Sequence, residues 1–247
     1  MYGKLCSEFY DVDKRFAELD EVNFYKQFID KNDLILEPMC GSGRLLIPLM
    51  QEGYQVHGVD NSTAMLANCR ERANNLGLNP ILFEMDIASM NLPHSYQSIL
   101  IPLGSFQLLY PRETAFNVLQ NFKKHLRPNG KLILDLFIPW ESLYKDNENE
   151  FSEKDVIIED GRINLKSHGK SNKYEQYCIS DSIYTKVINN REVVVENEKM
   201  YLCWYYRYET ELILEKYGFK NIIYKDEFFR NENHMIFIAE SLGCDEN

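Results

Sequence analysis

D-L-I-L-E-P-M-C-G-S-G-R-L-L-I-P-L-M, residues 33–50, decides how the rest of the chain is read. It opens with a short apolar run, Leu34-Ile35-Leu36, that ends on a carboxylate, Glu37. A turn of small residues follows, Cys40-Gly41-Ser42-Gly43, and an apolar, helix-like run begins at Arg44. Strand, glycine turn, helix is an arrangement that brings backbone close to a nucleotide-like ligand, because glycine reaches positive φ and carries no side chain. Two fingerprints of this kind do not fit. The dinucleotide pattern G-x-G-x-x-G needs a third glycine where Leu46 stands, and a phosphate loop needs G-K-[ST], which does not follow. A carboxylate just before the turn would repel a pyrophosphate. It suits a ligand with a cationic amino-acid end.

Working outward, this unit is the first of an alternating series. Gly53 stops the helix, and Tyr54–Asp60 predicts a second strand that again ends on a carboxylate. Asn61-Ser62 supplies an N-cap, with Met65, Leu66 and Cys69 at helical spacing behind it. Ile81–Asp86 predicts a third strand, also closing on a carboxylate. Ser98–Leu103 is an unpatterned apolar run, the form of a strand buried on both faces. Pro111 opens a helix with Phe116, Leu119 and Phe122 on one side. Leu126–Gly130 reads as a turn and Lys131–Phe137 as a fifth strand. Thr210–Tyr217 is helical up to Gly218, and Phe219–Tyr224 and His234–Ala239 predict two closing strands. Short connections between alternating elements predict an α/β fold, a doubly wound and mostly parallel seven-stranded sheet. Such sheets bind ligands at the carboxyl ends of their strands. Glu37, Asp60 and Asp86 all fall there. One carboxylate alone is equally well a charge facing a helix dipole, but three in succession beside a glycine turn point to a site.

Two regions lie outside this alternation. Residues 1–31 are rich in aromatics (Tyr2, Phe9, Tyr10, Phe16, Phe24, Tyr25, Phe28), and the spacing of Val22, Tyr25, Phe28 and Ile29 predicts an amphipathic helix with Asp20 as its N-cap. Phe9-Tyr10-Asp11 has two readings, packing on the domain or folding over a ligand. Residues 144–206 carry short alternating runs at Val156–Glu159, Arg162–Ser167, Tyr174–Ile179, Ile183–Ile188 and Val193–Trp204, with turn signals at Asp160-Gly161 and Asn189-Asn190. They predict an inserted antiparallel β meander. The main domain is then 1–143 with 207–247, and 1–31 is its helical cap. Most of the meander's aromatics (Tyr174, Tyr177, Tyr184, Tyr201, Trp204, Tyr205, Tyr206) read as packing groups rather than a pocket floor.

The totals narrow the classes of partner. A formal net charge of -11 disfavours non-specific contact with nucleic acid. No apolar N-terminal h-region and no membrane-length run is visible, so a cytoplasmic location is expected. The 6 cysteines have no C-x-x-C pair and read as reduced thiols, and no metal site is expected.

The motifs together resemble the class I S-adenosylmethionine-dependent methyltransferases. The residues that carry the resemblance are L-I-L-E-P-M-C-G-S-G-R (34–44), V-H-G-V-D-N-S (56–62), F-E-M-D-I (83–87), I-L-I-P-L-G-S-F-Q-L-L (99–109), L-R-P-N-G-K-L-I-L-D-L-F (126–137) and E-L-I-L-E-K-Y-G-F (211–219). The resemblance implies S-adenosylmethionine as cofactor and S-adenosylhomocysteine as product. It implies that Glu37 and the backbone of Cys40, Gly41, Ser42 and Gly43, with Arg44 beside them, hold the methionine portion. Asp60, with Asn61 and Met65 near it, would take the ribose hydroxyls. Asp86 would meet the adenine amino group with Ile87 beside the ring, and Leu103 would line the methionine end. Methyl transfer from a sulfonium needs alignment and exclusion of water more than a base. Tyr10 is the residue expected near the reacting methyl, and His168 is a candidate base. The expected function is methylation of an oxygen or nitrogen on a small-molecule acceptor by a monomer or weak dimer. An inert binding protein of the same fold and an RNA methyltransferase are the alternatives.

Overall fold

The computed structural model describes residues 3–144, 150–226 and 234–242. Tyr2, Cys244 and the polar stretch 145–149 lie outside them. In chain order the elements are α1 (Lys4–Asp13), α2 (Leu19–Lys26), β1 (Leu34–Pro38), α3 (Leu46–Gln51), β2 (Gln55–Asp60), α4 (Thr63–Asn74), β3 (Ile81–Glu84) and β4 (Tyr96–Ile101). A 3-10 turn (Ser105–Leu108), α5 (Arg112–His125), β5 (Leu126–Phe137) and α6 (Trp140–Tyr144) follow. Then come β6 (Glu150–Ile158), β7 (Gly161–Asn172), β8 (Tyr177–Ile188), β9 (Arg191–Cys203), α7 (Arg207–Lys216), β10 (Phe219–Lys225) and β11 (His234–Ser241).

Seven strands form one sheet in the order β10-β11-β5-β4-β1-β2-β3, in which β11 runs antiparallel to both neighbours. The remaining four, β6-β7-β8-β9, form a separate antiparallel sheet. Strand periodicity divides the apolar runs between two cores. Ile35, Leu100 and Ile133 pack on the side of α2, α3 and α4, while Leu36, Ile99, Ile101, Leu132 and Leu134 pack on the side of α5 and α7. The chain order reverses between β1 and β4, so the ends of these strands open a crevice rather than a covered edge.

Several boundaries differ from expectation for local reasons. The helix expected from Arg44 begins at Leu46, because the glycine turn continues through Leu45. Pro48 is thereby the third residue of α3, where its missing N–H has no intrahelical partner to lose. The N-cap of α2 is Glu18, and Asp20 sits in the first turn, facing the dipole. β3 stops at Glu84, which leaves Asp86 in the following loop, and β4 runs from Tyr96 to Ile101, two residues earlier than expected. The expected turn at 126–130 lies inside β5. The register passes from Tyr96–Leu126 to Ser98–Lys131, so these residues bulge out, with Asn129 at φ 57°. In the second sheet the runs expected at Tyr174–Ile179 and Ile183–Ile188 form one strand, β8. Asn189 and Asn190 both have positive φ, as a two-residue hairpin between β8 and β9 requires. Trp204 and Tyr205 are buried in the main core, Tyr184 packs on α1, and Tyr174 is fully exposed.

Gly58, in the middle of β2, shows how tightly the glycine turn is set against the sheet. A Cβ there would stand 2.7 Å from Cys40 Sγ and 2.8 Å from Leu46 Cδ1. Both neighbours are buried and have nowhere to move. Gly58→Ala is expected to lower unfolding free energy by about 2 kcal/mol. The reading is a lower urea midpoint at unchanged slope, and an unmoved midpoint contradicts this packing.

Candidate functional site

At the carboxyl ends of β1, β2 and β4 a cavity of about 780 Å³, its mouth included, is lined by residues from five elements and the loops between them. Glu37 and the turn residues Met39, Cys40 and Gly41 come from the end of β1, and Asp60 and Asn61 from the end of β2. Met65 comes from α4, Met85, Asp86 and Ile87 from the loop after β3, and Pro102, Leu103, Ser105, Leu108 and Leu109 from the segment after β4. Arg44, from the same turn, and Tyr10, from α1, complete the lining.

Glu37 is the least comfortable group in this cavity. It is 2% exposed, and its Oε2 has no hydrogen-bond partner. Burial dominates its titration and pushes the carboxyl up to about 8, although Arg44 and the Leu46 backbone N–H favour the ionised form. Arg44 is not free to neutralise it. Its guanidinium is held by both oxygens of Glu21 on α2, with Nη1 donating to Oε2 at 2.7 Å. A buried carboxylate oxygen without a donor is costly. A cationic group entering the cavity would satisfy it.

Asp60 is set differently. The backbone N–H of Gly41 donates to its Oδ2 at 2.9 Å and that of Ser62 to its Oδ1 at 2.8 Å. Burial pushes this carboxyl up, and these N–H groups act against the shift. Each oxygen keeps a further lone pair for a hydroxyl in the cavity. Asp86 is exposed, and its Oδ1 accepts from the Ala88 backbone at 2.8 Å, a local turn that fixes the loop carrying Ile87. Burial, with Asp60 and Glu37 nearby, holds the Cys40 thiol well above its ordinary value, so it is a packing group. Burial likewise raises the Tyr10 phenol, although Arg44 opposes it.

Of the residues singled out by sequence, Glu37, Cys40, Gly41, Arg44, Asp60, Asn61, Met65, Asp86, Ile87, Leu103 and Tyr10 meet at this one cavity. Ser42 and Gly43 do not line it. Ser42 turns away, its Oγ and carbonyl both accepting from Arg72 Nη1, and Gly43 lies against Ile47 and Cys69. His168 does not reach it either, which corrects its candidacy as a base. On β7 the odd-numbered Ile163 and Leu165 face α1, so strand alternation turns His168 to the opposite face, where it stacks on Phe151 with centroids 4.7 Å apart. A base must stand within hydrogen-bond reach of the proton it takes.

Two supporting residues escaped the sequence reading. Asp135 of β5 is fully buried and accepts from the Leu103 backbone N–H at 2.8 Å, holding Leu103 at φ 54° on the cavity wall. Its other oxygen lies 2.8 Å from His234 Nδ1. The signal was a carboxylate inside the apolar run K-L-I-L-D-L-F. Gln107 is fully buried, its amide donating to the carbonyls of Phe137 and Cys203 and so tying the 3-10 turn to β9.

Glu37→Gln removes the buried charge and keeps the shape. With its native carboxyl raised above the unfolded value, Glu37 holds a proton in the folded state that the unfolded state lacks. Its contribution is therefore lost as pH rises from the unfolded value, 4.5, through about 8. The variant is expected to melt near wild type at pH 5 and roughly 5–10 °C higher at pH 9, read by thermal denaturation of the free protein. A constant difference across pH contradicts the assignment.

A family model described as a methyltransferase domain matches residues 35–130. A putative methyltransferase of Geobacillus sp. (strain WCH70) is 24% identical over 159 residues, covering 61% of this chain and 63% of that protein. The chain spans less than two thirds of the length of the curated relatives it matches. Among solved structures, an S-adenosylmethionine-dependent methyltransferase from Clostridium acetobutylicum superposes with a TM-score of 0.77 at 15% identity, covering 98% of this chain and 99% of that one. The sugar N-methyltransferase KedS8 from Streptoalloteichus superposes with a TM-score of 0.73 at 14% identity, covering 91% and 87%. The matched segment spans β1 to β5, the glycine turn and the cavity's three carboxylates. Residues 35–130 therefore match the methyltransferase-domain model, and the chain shares its fold with S-adenosylmethionine-dependent methyltransferases of known structure.

Proposed function

We propose that the protein is an S-adenosylmethionine-dependent methyltransferase acting on a small-molecule acceptor. The observation that carries this reading is the buried, unpartnered oxygen of Glu37 beside the backbone-anchored carboxylate of Asp60. When bound, the cofactor supplies an electrophilic methyl group on a sulfonium and leaves as S-adenosylhomocysteine. Glu37 receives the ammonium of the methionine end, with Arg44 placed for its carboxylate. Asp60 accepts from the ribose hydroxyls. Asp86 accepts from the adenine amino group, and Ile87 lies beside the ring. Leu103, Leu108 and Leu109 keep water from the methionine end, which raises the strength of each of these contacts.

Two features bear on the acceptor. In this assignment the three carboxylates of the cavity all serve the cofactor, and the Tyr10 phenol is held protonated at neutral pH. The lining therefore suits an acceptor that is already a nucleophile, an amine rather than an unactivated alcohol. The solved structure of a sugar N-methyltransferase with the same fold is in keeping with a hydroxylated amine. The four-stranded sheet of β6–β9, reached through Tyr10 and α1, forms the outer wall of the acceptor site in this proposal.

Asp60→Asn tests the cofactor assignment. Asn keeps an acceptor for one backbone N–H, where Ala would free the glycine turn. Loss of charge-assisted bonds to the ribose is expected to weaken S-adenosylmethionine binding roughly 10- to 100-fold, measured by calorimetry at matched melting temperature. Unchanged affinity overturns the assignment. With a panel of amino sugars and small amines, methyl turnover is expected to rise with pH as the acceptor nitrogen loses its proton. Turnover confined to alcohols overturns the choice of nitrogen.

A further inference from the structure

Phe9, Tyr10 and Asp11 are consecutive on α1 and engage three different parts of the molecule. Phe9 packs edge-on against Tyr184 of β8, with centroids 5.5 Å apart. Tyr10 lines the cavity. Asp11 accepts from Asn68 of α4 at 2.6 Å and from Arg72 at 3.2 Å. The apolar face of α1 belongs to the four-stranded sheet: Leu5, Cys6 and Phe9 share a small core with Val156, Ile163 and Tyr184. Charge pairs extend the attachment, Glu8 with Lys186 at 2.7 Å and Asp13 with Lys154.

The start of the helix is held by the same sheet. α1 has no side-chain cap of its own. Glu196 of β9 supplies one from a distance of 190 residues in sequence, its two oxygens accepting from the backbone N–H of Cys6 at 2.9 Å and Leu5 at 3.1 Å. Glu198 accepts from Gly3 N–H at 2.6 Å. A Cβ at Gly3 would stand 2.4 Å from Glu196 Oε1, so the approach is as close as a glycine allows. A carboxylate at a helix N-terminus satisfies orphan donors and faces the positive end of the dipole.

We infer that Glu196 is a positioning residue for Tyr10, fixing α1 to the four-stranded sheet so that this sheet sets how Tyr10 closes the cofactor cavity. Leu5 and Tyr10 are separated by about 7–8 Å along the helix, so the carboxylate acts on the cavity only through the rigid helix. The sheet and α1 form one body. The inference rests on the reading of the cavity as the S-adenosylmethionine site.

A double-mutant cycle on S-adenosylmethionine affinity, measured by calorimetry on the full chain, tests it. Glu196→Gln is expected to weaken binding about fivefold when Tyr10 is present and less than twofold in the Tyr10→Ala background. Glu192→Gln, exposed on the same strand, is the charge control and should leave affinity within twofold of wild type in both backgrounds. A merely structural loss would act equally with and without Tyr10. Equal effects in the two backgrounds therefore overturn the inference, as does a Glu192→Gln effect matching that of Glu196→Gln. If Glu196→Gln does not fold, Phe9→Leu, which thins the contact with Tyr184, is held to the same Tyr10-dependent loss and the same overturning result. Wild-type protein that binds no S-adenosylmethionine overturns the cavity reading itself, and the inference with it.

Discussion

Everything in the site depends on a carboxylate buried without its full set of donors. Glu37 ends a central strand, and its side chain is buried at the wall of the cavity. The nearest cation, Arg44, is engaged by Glu21, which both anchors α2 and keeps the guanidinium from collapsing onto Glu37. A carboxyl buried this way costs the fold stability wherever it is ionised. Above the pH at which Glu37 ionises, removing that charge should make the free protein sturdier, the trade between stability and function expected where a site is preorganised.

The rest of the cavity is arranged around that point by backbone rather than by side chains. The glycine turn brings the Gly41 N–H to Asp60, so one carboxylate both fixes the turn and faces the cavity. The loop after β4 is held by buried Asp135, and the 3-10 turn by buried Gln107. Such contacts fix positions to within a fraction of an ångström, which alignment of donor and acceptor demands.

The central sheet was legible because its signals are local. Apolar runs, glycine stops and carboxylates at strand ends can each be read within ten residues, and Glu37, Asp60 and Asp86 do meet at one cavity. What failed depended on direction or on distant contacts. Ser42 and Gly43 sit in the right turn but face away from the cavity, a matter of backbone torsion that composition does not carry. His168 was judged by residue type, whereas strand parity decided its face. The bulge in β5 hid a strand behind the turn signal L-R-P-N-G. The attachment of α1 through Glu196 joins residues 190 positions apart, and nothing near either end announces it. Phe9-Tyr10-Asp11 admitted two readings, packing or facing a ligand site, and in the structure Phe9 packs on Tyr184 while Tyr10 lines the cavity.

The central claim is that Glu37 waits protonated for the ammonium of the cofactor. The most direct measurement is calorimetric titration of S-adenosylmethionine at pH 7 in buffers of different ionisation enthalpy. A carboxyl pushed up to about 8 in the free protein and ionised beneath an ammonium must release its proton on binding. Release of most of one proton per cofactor bound is expected at pH 7, falling away as pH rises past about 8. Binding with no proton exchange at pH 7, or no binding at all, would contradict it.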